Sequence, residues 1–377
     1  MKLLSSICDY AKEKTEVPLL ELNNYISTEN MLPNKAGIVR ASSVPTINQT
    51  QGYRKGDVLI SNIRPYFKKI WLATYDGGCS KDVLVLRAKN GIDTYFLYYV
   101  LSNDDFFRYA MATSKGTKMP RGDKKSLMQY EVPEFDLVTQ KNIGHILSDL
   151  DNKIYLNNLI NKNLEQQAKA IFASEFLSYG ELPKEWKKES LLDIADYLNG
   201  LAMQKFRPSN NEIDLPVLKI KELRQGSCDS SSERCSTNID PKYIVHDGDV
   251  IFSWSGSLIV NIWCGGICGL NQHLFKVTSA KYDKWFYYAW TLHHLERFIA
   301  IASDMATTMG HIKRDELSKS EVLIPSKKDY DRIGSLLEPI CANIINNRLE
   351  NRKLVALRDS LLPKLMSGEL DVSDIDL

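Results

Sequence analysis

The chain has 377 residues, of which 44% are hydrophobic, and 48 Lys and Arg against 47 Asp and Glu give it a formal net charge of +1. This composition is typical of a globular chain with two or three domains and shows no global sign of a basic nucleic-acid-binding protein. Seven cysteines, an odd number at irregular spacings, fit a reducing cytosol better than a disulfide framework. No apolar run approaches the roughly 18 residues of a membrane span, so we expect a soluble, cytoplasmic protein.

Residues 1–138 have the pattern of a mixed α/β domain. Short apolar runs punctuated by glycines predict strands at 57–62, 70–75 and 82–87, and a further short strand is expected at 131–133. The apolar residues of 94–111 recur at helical spacing and predict an amphipathic helix.

A long helix is predicted over residues 138–177. Its apolar residues alternate at spacings of four and three, which is the heptad pattern of a helix that packs along another helix. The residues of this stripe are Ile143, Leu147, Leu150, Ile154, Asn157, Asn161, Leu164, Ala168 and Ile171. At 1.5 Å per residue, a helix of roughly 35–40 residues spans about 50–60 Å, which suits a spacer.

The same order of elements is predicted again after a connector at 179–188. We expect strands at 217–220, 249–253 and 273–277, a surface loop at 226–240 and an amphipathic helix at 284–301. A second long helix follows at 330–364, with the stripe Ile333, Leu337, Ile340, Ile344, Asn347, Asn351, Leu354, Arg358 and Leu361. An internal proline costs about 3 kcal/mol, so we expect Pro339 to kink or restart this helix.

The two halves of the chain are an internal repeat. The helical stripes are offset by 190 residues, and Gly56-Asp57-Val58 recurs as Gly248-Asp249-Val250 at an offset of 192. At the latter offset, Trp71 corresponds to Trp263, Tyr98 to Trp290 and Pro133 to Pro325. We therefore expect two tandem units. Their predicted parts are an α/β domain at 1–138, a long helix at 139–178, a second α/β domain at 179–328, a second long helix at 329–366 and a tail at 367–377.

Asparagine occupies the same two places in both helical stripes. A buried amide is unfavourable unless it pairs with another polar group, so matched amides select one register and one partner. We expect the two helices to pack on each other, with Asn157, Asn161, Asn347 and Asn351 fixing their register.

No motif in the sequence indicates that this chain is itself an enzyme. A Walker loop for ATP is absent, and so is any Pro-Pro pair, which the Asn/Asp-Pro-Pro-aromatic motif of amino methylation requires. Glu185-Trp186-Lys187 has the E-x-K form of some metal nucleases, but this short pattern is common by chance. We predict no catalytic residue.

A zinc site is the other chemistry that the sequence could suggest. Its potential ligands are Cys228, Cys235, Cys264, Cys268 and His273. Their spacings differ from those of a usual zinc knuckle, and the first unit has no counterpart, so we interpret them as free cysteines and predict no metal.

A basic segment in each unit is a candidate contact for DNA phosphates. In the first unit, five cations lie on a Gly- and Pro-containing loop at 115–125; they are Lys115, Lys118, Arg121, Lys124 and Lys125. The corresponding segment of the second unit, 307–314, contains His311, Lys313 and Arg314. We call these segments the basic loops. They can follow a phosphate backbone, although a solvated surface loop would have the same composition.

A second candidate segment directly follows each Gly-Asp-Val strand. In the first unit, residues 61–69 contain Asn62, Arg64, Lys68 and Lys69, which combine groups that pair with base edges and groups that contact phosphates. The corresponding residues 253–261 include Ser253 and Ser255 and share almost none of this chemistry. We call these segments the post-strand loops. Their divergence fits two modules that read different sequences, and it equally fits two unconstrained loops.

The chain resembles the specificity subunit of type I restriction-modification enzymes over its full length. The residues that carry the resemblance are Pro133, Gln140, Ile143, Asp151, Lys153, Ile154, Asn157, Asn161, Leu164, Glu165, Ala168, Ile171, Phe172 and Phe176, with the run Leu-Leu-Pro-Lys-Leu-Met-Ser-Gly-Glu-Leu at 361–370. The second copy departs from the family at Tyr330, where glutamine is usual, and at Pro339.

The resemblance implies an α+β fold in which two tandem α/β target-recognition domains are separated by two long helices, packed as an antiparallel coiled coil with pseudo-twofold symmetry. It implies a non-catalytic subunit that recognises an asymmetric bipartite sequence in double-stranded DNA and docks two methylation subunits, which restriction subunits can join. S-adenosylmethionine, ATP and Mg are expected on those partner subunits, and no cofactor is expected on this chain.

Two other functions remain open from the residues alone. One is a small metal-dependent nuclease or methyltransferase with a coiled-coil arm, which activity of the purified chain would reveal. The other is a protein-assembly scaffold without DNA readout, whose weak association with DNA would be indifferent to salt, because only phosphate contacts make affinity fall steeply as salt rises.

Overall fold

The computed structural model describes residues 1–178, 180–210, 212–304 and 311–375. The chain forms two compact units, each of which combines a globular part with portions of both long helices. Unit 1 consists of Met1–Lys153 and Leu354–Leu377, and unit 2 consists of Ile154–Lys353. Among the described residues, no helix is both long enough and apolar enough to cross a membrane.

Unit 1 is built from short strands and helices. Its strands are β1 (Lys2–Leu3), β2 (Cys8–Tyr10), β3 (Lys14–Glu16), β4 (Tyr25–Ile26), β5 (Gln49–Tyr53), β6 (Val58–Ser61), β7 (Ile70–Leu72), β8 (Gly77–Cys79), β9 (Val83–Ala88) and β10 (Glu131–Val132). Its helices are α1 (Leu4–Ile7), α2 (Thr94–Ser102), α3 (Asp104–Ala112), α4 (Lys124–Leu127) and the beginning of α5 (Leu137–Phe172).

Unit 2 repeats this composition. Its strands are β11 (Lys187–Ser190), β12 (Asp196–Asn199), β13 (Asp214–Leu218), β14 (Arg234–Ser236), β15 (Ile244–Val245), β16 (Val250–Ser253), β17 (Ile259–Ile262), β18 (Cys268–Leu270), β19 (Leu274–Thr278) and β20 (Glu321–Ile324). Its helices are α6 (Leu191–Ile194), α7 (Ile220–Gln225), α8 (Lys284–His293), α9 (Leu295–Asp304), α10 (Arg314–Ser318) and most of α11 (Lys327–Ser367). Helix α5 is followed by a π-helical turn at Ala173–Leu177.

The units share one main sheet topology. The four antiparallel strands have the order β2-β9-β6-β7 in unit 1 and β12-β19-β16-β17 in unit 2. An antiparallel ribbon, β1 with β10 and β11 with β20, accompanies each of these sheets. The predicted fold of two tandem α/β units is confirmed.

The second sheet of each unit shows where the repeats diverged. Its central strand, β8 or β18, pairs with an antiparallel strand on one side, β5 or β15, and with a parallel strand on the other, β4 or β13. The fourth strand is added at opposite edges, because β3 pairs with β5 whereas β14 pairs with β13. Three strands are common to both units, and the difference lies at an edge, where a strand can be added without rebuilding the core.

Both long helices pack into the core of each unit. In unit 1, the buried residues that they contribute are Ile143, Leu147, Leu362, Leu365 and Met366. In unit 2, they are Phe172, Ile333 and Leu337. The start of α5 therefore packs with the end of α11 in unit 1, and the end of α5 with the start of α11 in unit 2, so the predicted antiparallel packing is confirmed.

The heptad pattern is confirmed in the middle and second half of α5. From residue 152 to residue 170, every side chain is exposed except those of the predicted stripe, which are Ile154, Asn157, Asn161, Leu164 and Ala168. A narrow buried stripe is what a helix has when its main partner is one other helix.

The predicted restart of the second long helix at Pro339 is wrong, because α11 is continuous through this residue. Pro339 is exposed, so water can hydrate the carbonyl that loses its helical donor. Leu337 and Ile344 on either side are buried and hold the helix against its partners.

Other elements are more divided than the sequence pattern predicts. The helix expected at 94–111 is split into α2 and α3, because the Asn103 side chain accepts a hydrogen bond from the Asp105 amide and caps a new helix. The helix expected at 284–301 is split into α8 and α9. The predicted strand at 217–220 ends at Leu218, and the loop expected at 226–240 contains strand β14 with a buried Cys235.

The correspondence of Trp71 with Trp263 is also wrong. Val58 lies opposite Leu72 in unit 1, and its counterpart Val250 lies opposite Ile262 in unit 2. This register makes Asn261 the counterpart of Trp71, because unit 2 has two residues fewer in the preceding post-strand loop. The two tryptophans line up in the sequence without a gap, but hydrogen bonding between strands places the gap between them.

Candidate nucleic-acid interface

The Gly-Asp-Val motif fixes the start of the strand that leads to each post-strand loop. The Asp57 side chain is only 2% exposed, and its carboxylate accepts two hydrogen bonds of 2.7 Å from Arg87. These hydrogen bonds raise the pKa of the Arg87 guanidinium above its usual value. In unit 2, Asp249 forms an ion pair of 2.9 Å with Lys276. The motif is therefore a structural anchor in both units.

The structure brings the predicted post-strand and basic loops together in unit 1. Ile63 and Arg121 form an antiparallel bridge. It is closed by hydrogen bonds from the Arg64 amide to the Pro120 carbonyl (2.8 Å) and from the Gly122 amide to the Asn62 carbonyl (3.2 Å). Two segments that are about 60 residues apart in the sequence thus form one surface.

Unit 2 repeats this contact at corresponding residues. Ser255 and His311 form the antiparallel bridge, and the Ile312 amide donates to the Trp254 carbonyl over 2.9 Å. Residues 307–310 of the predicted basic loop lie outside the described residues. The pairing of the two loops is therefore part of the framework that the repeat preserves, whatever the side chains are.

Several predicted DNA-contacting cations of unit 1 are held by neighbouring groups. The Lys115 ammonium is hydrogen bonded to the Asp123 carboxylate, and this bond holds the pKa of Asp123 well below its usual range. Arg121 lies 3.3 Å from Asp82. Lys68 pairs with Asp104 over 2.8 Å. These three residues therefore link the loops to neighbouring segments in addition to adding positive charge.

The Lys69 ammonium has a structural role in the same post-strand loop. It donates a hydrogen bond of 2.6 Å to the Thr28 carbonyl. Partial burial lowers the pKa of Lys69. This ammonium is therefore already engaged by the protein and is less available to a phosphate than an exposed lysine.

The remaining cations of the unit 1 basic loop face solvent. Lys118, Lys124 and Lys125 are exposed, and none of them has a carboxylate partner in the part of the chain that the structure describes. The Lys124 ammonium lies 5.8 Å from the centre of the Tyr10 ring. These three exposed lysines add positive charge to the predicted basic loop, although Lys124 and Lys125 lie in the first turn of α4 and not in a loop.

A third segment of this surface was not predicted. Residues 33–37 dock on the post-strand loop, where the Asn34 amide donates to the Phe67 carbonyl (2.8 Å) and the Lys35 amide to the Lys68 carbonyl (2.9 Å). Lys35 also pairs with Asp104 over 2.8 Å. The only sequence signal for this segment is the turn-forming run from Pro33 to Gly37, which does not indicate where the turn docks.

The post-strand loop of unit 2 has a different surface. Ser253 is 0% exposed, and its hydroxyl donates to the Ser255 and Ser257 carbonyls. Ser255 is 6% exposed, and its hydroxyl is hydrogen bonded to His273. Neither predicted serine presents its hydroxyl to solvent. Trp254 is partly exposed in this loop, and its ring centre lies 6.4 Å from that of His311.

Lys313 and Arg314 complete the described surface of unit 2. Both are exposed, and Lys313 immediately precedes α10 as its N-terminal cap. The surface of unit 2 therefore combines two cations with an aromatic ring. That of unit 1 combines lysines with the Arg64 guanidinium and the partly exposed Asn62 amide, whose Oδ1 is buried without a hydrogen-bond partner. An aromatic ring offers a stacking or methyl-contacting face, and the polar groups of unit 1 offer hydrogen bonds.

The four stripe asparagines are hydrogen bonded across the helix pair within unit 2. Asn157 donates to the Asn351 side-chain oxygen and Asn347 donates to the Asn161 side-chain oxygen, both over 2.9 Å. In unit 1, the corresponding contact between the helices is an ion pair of 2.7 Å between Asp151 and Arg358. Each polar group in the buried stripe thus has a defined partner, as specific pairing of the helices requires.

All seven cysteines are free thiols. Among the described residues, no three His, Cys, Asp or Glu side chains are grouped so that they could hold a metal ion. The potential zinc ligands of unit 2 therefore do not converge on one point.

A family model and the relatives of known type that match this chain all indicate the same family. A family model described as the type I restriction modification DNA specificity domain matches residues 4–166 and again residues 183–354. The MjaIX specificity subunit of Methanocaldococcus jannaschii is 25% identical over 309 residues, which cover 76% of this chain and 71% of that protein. The HindI specificity subunit of Haemophilus influenzae is 21% identical over 435 aligned positions, which cover 92% of this chain and 94% of that protein.

A solved structure has the same fold. The S subunit of the type I restriction-modification system from M. genitalium aligns with a TM-score of 0.60 over 97% of this chain and 95% of that protein, at 14% identity. The family model matches once per repeat and covers most of the chain, and specificity subunits are non-catalytic components whose partner subunits hold the catalytic activities. The chain therefore belongs to the family of type I restriction-modification DNA specificity subunits.

Proposed function

We propose that each unit reads one half of an asymmetric bipartite sequence in double-stranded DNA and that the two long helices set the gap between the halves. The observation that carries this proposal is that both units form the same contact between their loops but have different side chains on it. The same loop contact presents Asn62 and Arg64 in unit 1 and Trp254 and Gly256 in unit 2. Two DNA-recognition domains that have different side chains at corresponding loop positions recognise different half-sites.

The proposal assigns the reading function to residues 1–138 and 179–328 and the spacing function to residues 139–178 and 329–366. The cations of the basic loops would contact phosphates and set the register of each unit on the duplex, whereas the post-strand loops would approach base edges. Free thiols throughout the chain suit the reducing cytoplasm, where the complex of this chain with its partner subunits would meet DNA.

An exchange of residues 1–138 for the corresponding segment of a family member with another target tests the proposal. The exchanged and native chains are expressed with their methylation subunits, and methylated adenines are mapped in genomic DNA. We expect a two-part motif with a fixed gap, in which the exchange alters one half and leaves the other half and the gap unchanged. A change in both halves, or methylation without a two-part motif, would contradict the proposal.

We also propose that an exposed apolar face of α5 docks one of two methylation subunits. Tyr155, Leu156, Leu159 and Ile160 lie on one side of the helix and are 60%, 52%, 42% and 47% exposed. A cluster of large apolar side chains on a polar helix is typical of an interface.

The repeat does not reproduce this face on α11. The counterparts at the offset of 190 residues are Ile345, Asn346, Leu349 and Glu350. Two of these residues are polar, and the two apolar ones are only partly exposed. The exposed apolar face therefore occurs once among these corresponding positions, and the two methylation subunits would be bound with unequal strength.

Substitution of Leu156 and Leu159 by glutamate should therefore release one methylation subunit and retain the other. Both side chains are exposed, so the fold should tolerate the change. Native mass spectrometry is expected to show a shift from two methylation subunits per chain to one. Glutamate at Lys162 and Lys169, exposed polar positions of the same helix, is the control and should leave the stoichiometry at two, and loss of both subunits or of neither from the leucine variant would refute unequal docking.

A further inference from the structure

Strained backbone is concentrated at one place in unit 1. Among the described residues, the non-glycine residues with left-handed φ are Asn34 (56°), Lys35 (61°), Arg64 (50°) and Lys68 (50°). All four lie where residues 33–37 dock on the post-strand loop. L side chains rarely adopt this conformation, and clusters of such residues are found where function requires a particular shape.

Comparison with unit 2 shows which residue type the loop backbone favours at one of these four positions. Arg64 corresponds to Gly256, because both directly follow the residue that bridges to the basic loop. The preceding serine hydroxyls also make the same bond, from Ser61 to the Ile63 carbonyl and from Ser253 to the Ser255 carbonyl.

Gly256 has the same left-handed backbone, with φ of 64°. A Cβ atom placed there would be 3.6 Å from the nearest side chain, which is ordinary contact. Space therefore does not require glycine at this position, whereas the backbone shape favours it. Unit 2 has the residue that adopts this shape without strain, and unit 1 has arginine.

Contacts within the protein explain the other charged residues of the strained cluster but not Arg64. Lys35 and Lys68 both pair with Asp104 and so tie the two segments together. The Nε of Arg64 is buried without a hydrogen-bond partner, and its guanidinium forms no ion pair with any residue that the structure describes. Arg64 therefore combines a strained backbone, which hydrogen bonds of its amide and carbonyl hold in place, with a side chain that no described residue satisfies.

We propose that Arg64 is a base-reading residue of unit 1 that recognises guanine through its O6 and N7 atoms in the major groove. This inference rests on the proposed function and adds to it the base that is recognised and the residue that recognises it. A phosphate contact needs only positive charge, which the exposed lysines nearby already supply. A bidentate contact with guanine needs the planar guanidinium held at a fixed angle, and the Arg64 backbone is fixed by hydrogen bonds to Pro120 and Phe67. Unit 2 has Gly256 at the position that corresponds to Arg64, so no side chain at this position could make the contact.

The substitution Arg64→Gly tests the proposal in the complex with methylation subunits. Methylation is measured on a library of duplexes in which each half-site is randomised in turn. We expect the native motif to contain a guanine in the half-site of unit 1. The variant should lose discrimination at that base by about 5- to 150-fold and keep every other position of both half-sites. Because glycine suits the backbone, the thermal unfolding midpoint should not fall.

Arg54→Gly is the control, because it removes an exposed arginine of unit 1 that lies outside the post-strand and basic loops; it should leave the motif unchanged. A native motif that lacks two halves would overturn the proposed function itself. An intact two-part motif whose guanine persists in Arg64→Gly would overturn the Arg64 inference alone. Uniformly weaker methylation of all sequences would show a phosphate contact, and a lowered unfolding midpoint with the motif retained would show a structural role; both would overturn the inference.

Discussion

Replacing Lys118, Lys124 and Lys125 by glutamate should weaken DNA binding about 100-fold at roughly 150 mM salt, to the same degree on every DNA sequence. The three ammonium groups are exposed on the basic loop of unit 1. Each phosphate that a cation neutralises releases condensed counterions, and at this salt concentration the release is worth roughly fivefold in affinity per contact. Loss of three contacts should also reduce the slope of log affinity against log salt concentration by about three.

Fluorescence anisotropy with labelled duplexes, repeated at several salt concentrations, measures both quantities for the assembled complex. Glutamate at Lys12, Lys55 and Lys141 changes the net charge equally at exposed positions of the same unit outside the loop, and it should alter the slope by much less than three. An unchanged slope in the loop variant would remove the basic loop from the interface. Loss of affinity for the target sequence alone would assign these lysines to base recognition instead.

The choice of residues in this test depends on the structure. Lys115 and Arg121 belong to the same predicted basic loop, but each is paired with a carboxylate, Asp123 and Asp82 respectively. Glutamate at either position would face a like charge and destabilise the loop, so a loss of binding would not report on phosphate contacts. Lys118, Lys124 and Lys125 avoid this ambiguity.

Replacing Arg87 by alanine should destabilise unit 1 by about 3–5 kcal/mol. Arg87 supplies both hydrogen bonds of a bidentate pair with the nearly inaccessible Asp57 carboxylate and a third, also of 2.7 Å, to Glu13. Without it, Asp57 retains the 2.8 Å hydrogen bond from the Arg54 amide as its remaining partner, and a buried carboxylate that loses its cation is strongly unfavourable. Because Asp57 begins strand β6, the loss would also release the post-strand loop that β6 supports.

Hydrogen–deuterium exchange measures this effect separately in the two units. Amides of β6 and β9 should exchange at least about 100-fold faster in the Arg87→Ala variant, since each 1.4 kcal/mol is a factor of ten, whereas amides of β16 and β19 in unit 2 serve as the internal reference. Arg54→Ala is the matched control, because its ion pair with Glu13 is at the surface and should contribute less than about 1 kcal/mol. Equal protection in the Arg87 variant and the native chain would show that Asp57 does not depend on this ion pair.

The candidate site was predictable as far as it depends on local composition. The exposed lysines of the basic loop follow from a Gly- and Pro-containing cationic run, because such a run cannot be buried. The burial of Ser253 and Ser255 was not predictable, because a serine is equally compatible with solvent and with a hydrogen-bonded interior. The docking of residues 33–37 was also missed, because a turn motif carries no information about the surface that receives it.

Sequence alone determined the duplication, the two long helices and the polar pairs between them, because each of these is a periodic pattern that repeats along the chain. The five stripe residues between Ile154 and Ala168 remain the unexposed ones of their helix segment for this reason. Tertiary structure decided what depends on pairing between distant segments: the register that separates Trp71 from Trp263, the bridge between Ile63 and Arg121, and the left-handed backbone shared by Arg64 and Gly256. Strands of two to six residues have too few side chains to specify their neighbours, so hydrogen bonding and packing across the fold select them.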